Sequence, residues 1–199
     1  MITLYHAPRS RSSRIIWLLE ELGADYRIEL VPIVRGDGTG APAPDSYLAI
    51  NPLRKVPAIK IFDEIVYESG AICLYLTDSH PKNEVGPLPG HNDRAEYVRW
   101  LFFSAATLEP AVGARFQGWD KEKATGFGTF EDIEAIVSRQ LEKTPYIVGE
   151  NFTAADILIG SMLQFLKGSL IPERKHYQDY LARLSSRPAY IRAQARENG

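Results

Sequence analysis

Cysteine is almost absent. Cys73 is the one thiol in 199 residues, so the chain can form no internal disulfide and no Cys-x-x-Cys redox pair. Histidine is also sparse. His6, His80, His91 and His176 are scattered, in none of the spacings that gather metal ligands, and no metal is expected. No apolar run approaches the ~18 residues needed to cross a bilayer, and the N-terminus lacks a charged-then-apolar leader. A net charge of −2 gives no electrostatic footprint for nucleic acid or an anionic membrane surface. The composition itself is ordinary for a globular protein: 45% apolar and 24% charged, in a chain long enough for a sizeable core. A soluble, cytoplasmic protein is the expectation.

Periodicity and punctuation divide the chain in two. Residues 2–5 read as a short apolar strand, followed by the loop His6-Ala-Pro-Arg-Ser-Arg-Ser. A helix then runs from Ser12 or Ser13 to Leu22, with Ile15, Leu18, Leu19 and Leu22 at helical spacing and Gly23 as its stop. Tyr26, Ile28 and Leu30 alternate with Arg27 and Glu29, as in a strand with one wetter face. The Gly/Pro-rich segment Arg35 to Pro44 reads as a mobile connector with one edge beside a ligand. From Asn51 to Ile72 the sequence is NPLRKVPAIKIFDEIVYESGAI. It predicts a strand through Val56, Ile59 and Ile61, a turn at Asp63-Glu64, a strand Ile65-Val66-Tyr67, and a helix capped by Ser69 that ends near Asp78.

The order βαβ then ββα is a thioredoxin-like arrangement, expected over 1–80. A polar Pro/Gly-rich linker follows over 81–92, and an all-helical domain over 93–199. In that second half Tyr97, Leu101, Ser104, Ala105 and Leu108 share one helical face, and Pro110 is expected to kink or stop that helix. Phe130, Ile133, Val137 and Leu141 mark another helix. Thr153 and Asp156 form a capping box, with Phe152 and Ile157 as its staple, before a helix apolar nearly all round. Tyr177 to Leu184 form a further helix, and Arg187-Pro188 begins the last.

Two features of the Asn51 stretch point to ligand binding. Pro57 holds Val56 extended, which leaves the Val56 amide and carbonyl to pair with an outside peptide as one more strand. The helix start at Ser69 offers unpaired N–H groups to a carboxylate.

NPLRKVP followed by ESGAI resembles the glutathione-site half of the cytosolic glutathione transferases, whose pattern is Asn-Pro-x-Gly-Lys-Val-Pro and then Glu/Asp-Ser-x-Ala-Ile. The capped helix and the closing SSRPAY are similar to the helical domain of the same family, so the resemblance covers essentially the whole chain. It implies a cis Val56-Pro57 bond, with Val56 pairing to the cysteinyl backbone of glutathione. It also implies that Glu68 and Ser69 hold the γ-glutamyl end, and that the chain forms a homodimer. One position departs from the pattern: Arg54 stands where the family usually has Gly. Arg9, Arg11, Arg54 and Lys55 form a cationic rim for an anionic tripeptide, and Arg54 is a candidate for its glycyl carboxylate.

The chemistry asks for one hydroxyl. Lowering a thiol pKa by ~2 units takes about 2.7 kcal/mol. A hydroxyl hydrogen bond to a charged acceptor supplies roughly 1.5–3 kcal/mol, and a helix N-terminus about 0.3–1 kcal/mol. Ser10, four residues before Arg14, is the first candidate, by the spacing seen in serine-type members, and Ser12 is the second. Ser13 is expected to cap the helix, and Tyr5 to pack at the sheet end. Cys73, inside a helix, reads as a buried inert thiol. The electrophile is expected between the domains, with Tyr97, Phe103, Thr107 and Phe116 as candidate lining; each is otherwise a core or dimer contact. The function expected is transfer of glutathione, as thiolate, to a small hydrophobic electrophile. A glutathione-dependent peroxidase or disulfide reductase is the alternative, as is a non-enzymatic relative that keeps the fold for binding or regulation.

Overall fold

A computed structural model describes residues 1–119 and 126–197. The chain forms two compact units: Met1–Leu76 with Pro188–Gly199, and Thr77–Arg187.

The first unit is built on β1 (Ile2–His6), α1 (Ser13–Glu21), β2 (Tyr26–Leu30), β3 (Ala58–Ile61), β4 (Glu64–Tyr67) and the start of α2 (Ser69–Ser79). The sheet order is β2-β1-β3-β4, with β1 parallel to β2 and antiparallel to β3. This is the thioredoxin-like arrangement the strand and helix order implied. β1 has neighbours on both edges and all five of its residues are buried. α1 buries Ile15, Ile16, Leu18 and Leu19, which is wider than one stripe.

A second element explains the width. α8 (Pro188–Ala195), expected with the helical half, packs on α1 instead. Tyr190 stands edge-on to Trp17 with centroids 4.9 Å apart. Glu20 accepts from Arg192 Nε at 2.8 Å and pairs with Arg196 Nε at 3.1 Å.

The hairpin turns one residue earlier than expected. Ile61 pairs with Glu64, so Phe62 and Asp63 form the turn and Glu64 is already strand. Two-residue hairpins need a residue at positive φ to match the strand twist, and Phe62 supplies it at φ 53 while its ring is 84% exposed. Arg35–Thr39, read as mobile, is a closed turn: Arg35 N donates to Thr39 O at 2.8 Å and Gly38 N to Arg35 O at 3.0 Å.

The second unit is helical: α3 (Arg94–Phe103), a wide π turn (Ser104–Leu108), α4 (Glu109–Gln117), α5 (Phe130–Lys143), α6 (Ala154–Leu166) and α7 (Lys175–Ser185). Segment 81–92, expected to be a linker, packs within this unit. Ala154 N donates to Val85 O at 2.8 Å, and Arg94 donates to the Pro87 carbonyl at 2.9 Å. Pro110 neither stops nor isolates its helix. It falls in the first turn of α4, where a missing N–H costs little, directly after the π turn. That wide turn shifts the helical register, so Ala105 is exposed while Ser104 and Leu108 stay buried. The capping box forms as read, with Thr153 and Asp156 bonding reciprocally, and α6 is central.

Candidate functional site

The site lies in the first unit and follows from strand register. Tyr5 pairs with Ala58, and Ala58 with Tyr67. The chain leaving β1, the chain entering β3 and the chain leaving β4 therefore meet at one end of the sheet. These are the loop Ala7–Ser12, the Val56-Pro57 dipeptide and the Glu68-Ser69 start of α2. The Val56-Pro57 bond is cis.

Val56 is half-buried and Lys55 exposed, and the Lys55 carbonyl is clamped. It accepts from the Tyr47 hydroxyl and from Asn51 Nδ2, each at 2.9 Å. Asn51 is buried, and its Oδ1 accepts in turn from Leu53 N at 3.0 Å. The Tyr47 ring tilts against Tyr5, with centroids 5.4 Å apart. Asn51 and Tyr47 thus set the approach to Val56, a role that sequence reasoning missed although Asn51 opens the motif. Tyr5 is a buried packing residue, and burial followed by the Glu29 charge raises its pKa.

Arg54 lies at φ 54, in the left-handed region that favours glycine. This is the physical reason for glycine at this place in the pattern. Its guanidinium donates to the Ala43 carbonyl at 2.8 Å and to Asp45 Oδ1 at 2.5 Å. The side chain read as a candidate for the glycyl carboxylate is turned onto segment 43–45 instead. Glu68 is exposed at φ 75, immediately before α2, and Ser69 is the first residue of that helix. A glutamate held in the left-handed region carries backbone strain of the kind that gathers at ligand sites.

The three loop serines differ sharply. Ser10 is half-exposed, and Ser12 fully buried. Ser12 Oγ lies 2.8 Å from His6 Nδ1 and 2.7 Å from Ser10 Oγ, and accepts from Ala7 N at 3.1 Å. With no open face, Ser12 cannot touch a thiol; it bonds the half-exposed Ser10 instead. Ser13 does not cap α1. Its hydroxyl donates to Glu197 Oε1 at 2.5 Å, and no side chain caps that helix. Glu197 Oε1 also accepts from Arg9 N at 2.5 Å, while the Glu197 carbonyl accepts from His6 Nε2 at 3.0 Å. Glu197 therefore holds the β1–α1 loop, a contact spanning about 190 residues that no local signal announces. Arg35 reaches the same loop, donating to the Pro8 carbonyl at 2.9 Å.

Cys73 is fully buried and burial pushes its thiol up to about 12, so it is no nucleophile near neutral pH. In the second unit, Tyr97 is fully buried with its hydroxyl 3.0 Å from Thr77 Oγ1. It is core, and is removed from the candidate lining. Phe103 is half-buried against Trp100, Thr107 lies in the π turn, and Phe116 is 53% exposed, edge-on to Phe165. Among the described residues, no group of His, Cys, Asp and Glu is arranged to hold a metal. No described helix is long and apolar enough to cross a membrane.

These features define a thioredoxin-like unit with a cis-proline at the entry to β3 and a hydroxyl-bearing loop. Comparison with known proteins agrees. Residues 4–84 match the profile of the glutathione S-transferase N-terminal domain. Glutathione S-transferase 3 of Schizosaccharomyces pombe is 34% identical over 182 residues, which cover 78% of this chain and 70% of that protein. The disulfide-bond oxidoreductase YfcG of Escherichia coli is 29% identical over 210 residues, 95% of this chain and 92% of that one. A glutathione S-transferase structure from Actinobacillus pleuropneumoniae is 30% identical with a TM-score of 0.79, over 100% of this chain and 94% of that one. The chain belongs to the glutathione S-transferase family.

Proposed function

We propose that this protein binds glutathione at the β1–β3–β4 end of the sheet and transfers it, as thiolate, to a small hydrophobic electrophile. The single observation that carries the reading is Ser10, a half-exposed hydroxyl at the loop before α1, seated on a buried hydrogen-bonded partner. Val56 pairs with the cysteinyl backbone, Glu68 and Ser69 hold the γ-glutamyl end, and Lys55 contributes charge at the rim. The thiol meets Ser10 where the N-terminus of α1 adds its dipole. We assign the electrophile to the half-buried Phe103 and Thr107 and to the exposed Phe116. Two copies associate as a homodimer; a monomeric mass in solution would remove that part.

The test is a pH titration of the ultraviolet thiolate absorbance of bound glutathione. In the wild type the thiol pKa falls by ~2 units, and in Ser10→Ala it returns towards the free value with activity down roughly 10–100-fold, the size of one charge-assisted hydrogen bond. An unchanged titration in Ser10→Ala would remove Ser10 from the mechanism.

The likeness to a disulfide-bond oxidoreductase favours a second reading, in which the same thiolate attacks a disulfide. The buried Cys73 does not suit the role of attacking sulfur, so glutathione itself supplies it. Turnover of a mixed disulfide, unchanged in Cys73→Ser, would select this reading over conjugation.

A further inference from the structure

Behind Ser10 lies a chain of polar atoms that the thiolate chemistry above leaves unused: Ser10 Oγ to Ser12 Oγ at 2.7 Å, Ser12 Oγ to His6 Nδ1 at 2.8 Å, and His6 Nε2 to the Glu197 carbonyl at 3.0 Å. His6 and Ser12 have no exposed surface. We propose that His6 is the acceptor of the glutathione thiol proton, which reaches it through the hydroxyls of Ser10 and Ser12. The inference rests on the reading of Ser10 as the residue facing the thiol.

Hydrogen-bond valence fixes the direction of the chain. A carbonyl oxygen only accepts, so His6 Nε2 carries a hydrogen. In the neutral ring Nδ1 is then bare and must accept. The one hydrogen of Ser12 goes to it at 2.8 Å in preference to the Ala7 carbonyl at 3.3 Å. Ser12 Oγ is left to accept from Ala7 N and from Ser10. The Ser10 hydrogen therefore points inward, one of its lone pairs accepts from Ser12 N at 3.2 Å, and the remaining lone pair can accept from S–H but cannot donate to a thiolate. With an imidazolium every hydrogen in the chain reverses. Nδ1–H donates to Ser12, Ser12 donates to Ser10, and the Ser10 hydrogen turns outward as a donor. The two protonation states of His6 thus correspond to a hydroxyl suited to the thiol and a hydroxyl suited to the thiolate.

One concerted shift connects them. The S–H bond breaks and leaves its electron pair on sulfur, while that proton bonds to Ser10 Oγ. The Ser10 proton passes to Ser12 Oγ, and the Ser12 proton to His6 Nδ1. Neutral thiol and neutral imidazole become thiolate and imidazolium, with no change in net charge and no proton released to water. Reversal of the shift after transfer returns the proton to the leaving group or to solvent.

The charged groups on the elements around His6 are Arg196 and Glu197 in the C-terminal turn, Arg9 and Arg11 in the loop, Arg14, Glu20 and Glu21 on α1, Arg27 and Glu29 on β2, Lys60 on β3, and Arg35 beyond β2. Glu197 is the anion tied to this chain, through the carbonyl that holds Nε2 and the carboxylate on Arg9 N and Ser13. Ser12 relays the proton, Glu197 is a positioning residue, and His6 takes the proton at a distance from the sulfur.

The experiment counts protons. The full-length protein is mixed with glutathione at about pH 7.5 in weak buffer with an indicator dye, and thiolate is read by its ultraviolet absorbance. The wild type is expected to form thiolate while releasing well under one proton per thiolate. His6→Gln keeps an amide N–H for the Glu197 carbonyl but cannot titrate; it and Ser12→Ala are expected to make roughly tenfold less thiolate and to release one proton for each thiolate formed. One proton per thiolate in the wild type overturns the inference while leaving the Ser10 reading intact, and it does so even where a variant fails to fold. Bound glutathione with no thiolate in the wild type fails the Ser10 reading, and the relay with it.

Discussion

Arg54 shows how far a motif can be read without its backbone. The sequence exposed the exchange of glycine for arginine but not its reason, because φ is not written in side-chain identity. At φ 54 the residue bears a left-handed conformation that costs a non-glycine residue about 1–2 kcal/mol. Its guanidinium offsets this through the Ala43 carbonyl and Asp45, an ion pair whose carboxylate is largely exposed and contributes little by itself. Two substitutions separate these effects. Arg54→Ala loses the hydrogen bonds and keeps the strain, whereas Arg54→Gly loses the bonds and relieves it. The glycine variant is expected to be more stable than the alanine variant by about 1 kcal/mol in urea unfolding. Equal midpoints would mean that the left-handed conformation carries no cost here. Ser10 entered the proposed site from sequence because the chemistry asks for a hydroxyl before the first helix. His6 and Glu197 were not legible, since one looked like a stray histidine and the other lies at the opposite end of the chain.

Among elements, legibility followed the regularity of the pattern. β1, β2 and α1 were readable from apolar spacing, and the capping box before α6 from four residues. The hairpin slipped by one because a phenylalanine occupies the left-handed turn position, and the π turn left no signal beyond Pro110. Helix contacts were likewise invisible in the sequence, and Gly160 is the instructive case. A Cβ added there would stand 2.2 Å from Leu184 Cδ1 and 3.7 Å from a Tyr180 ring carbon, so the glycine lets α7 approach α6 closely. Alanine favours an isolated helix by up to about 1 kcal/mol over glycine. Leu184 is buried and cannot swing into solvent, so overpacking is expected to win. Gly160→Ala should lower stability by about 1–2 kcal/mol net. A variant more stable than the wild type would show that Leu184 has an empty rotamer to move into.

Across the whole molecule the two units carry buried carboxylates that respond to pH in opposite senses. In the second unit burial pushes the Asp156 carboxyl up to about 6, against hydrogen bonds donated by Ile147 N, Thr153 N and the Tyr180 hydroxyl. Its ordinary value is 3.8, so between pH 4 and 6 the folded unit holds a proton that the unfolded chain has lost. Stability therefore falls as pH rises through that window, by on the order of 3 kcal/mol for a shift of about 2 units, and is flat for this group outside it. In the first unit burial alone would raise the Glu20 carboxyl. Hydrogen bonds from Tyr26 and Arg192, with the charges of Arg196 and Arg192, outweigh burial and hold it below its ordinary value. The stability that Glu20 lends to the α1–α8 contact is present above its unfolded value of about 4.5 and is lost as pH falls through the depressed one. Acidification from pH 6 to 4 is thus expected to tighten the helical unit, while the Glu20 contribution to the α1–α8 contact is intact down to about pH 4.5 and is lost on further acidification. Hydrogen exchange followed by peptide checks both signs, with α6 amides slowing between pH 6 and 4 after correction for intrinsic rate, and α8 amides losing protection below it. Loss of α6 protection over the same range would reverse the sign assigned to Asp156, and place the ionised carboxylate, rather than its burial, in control of the capping box.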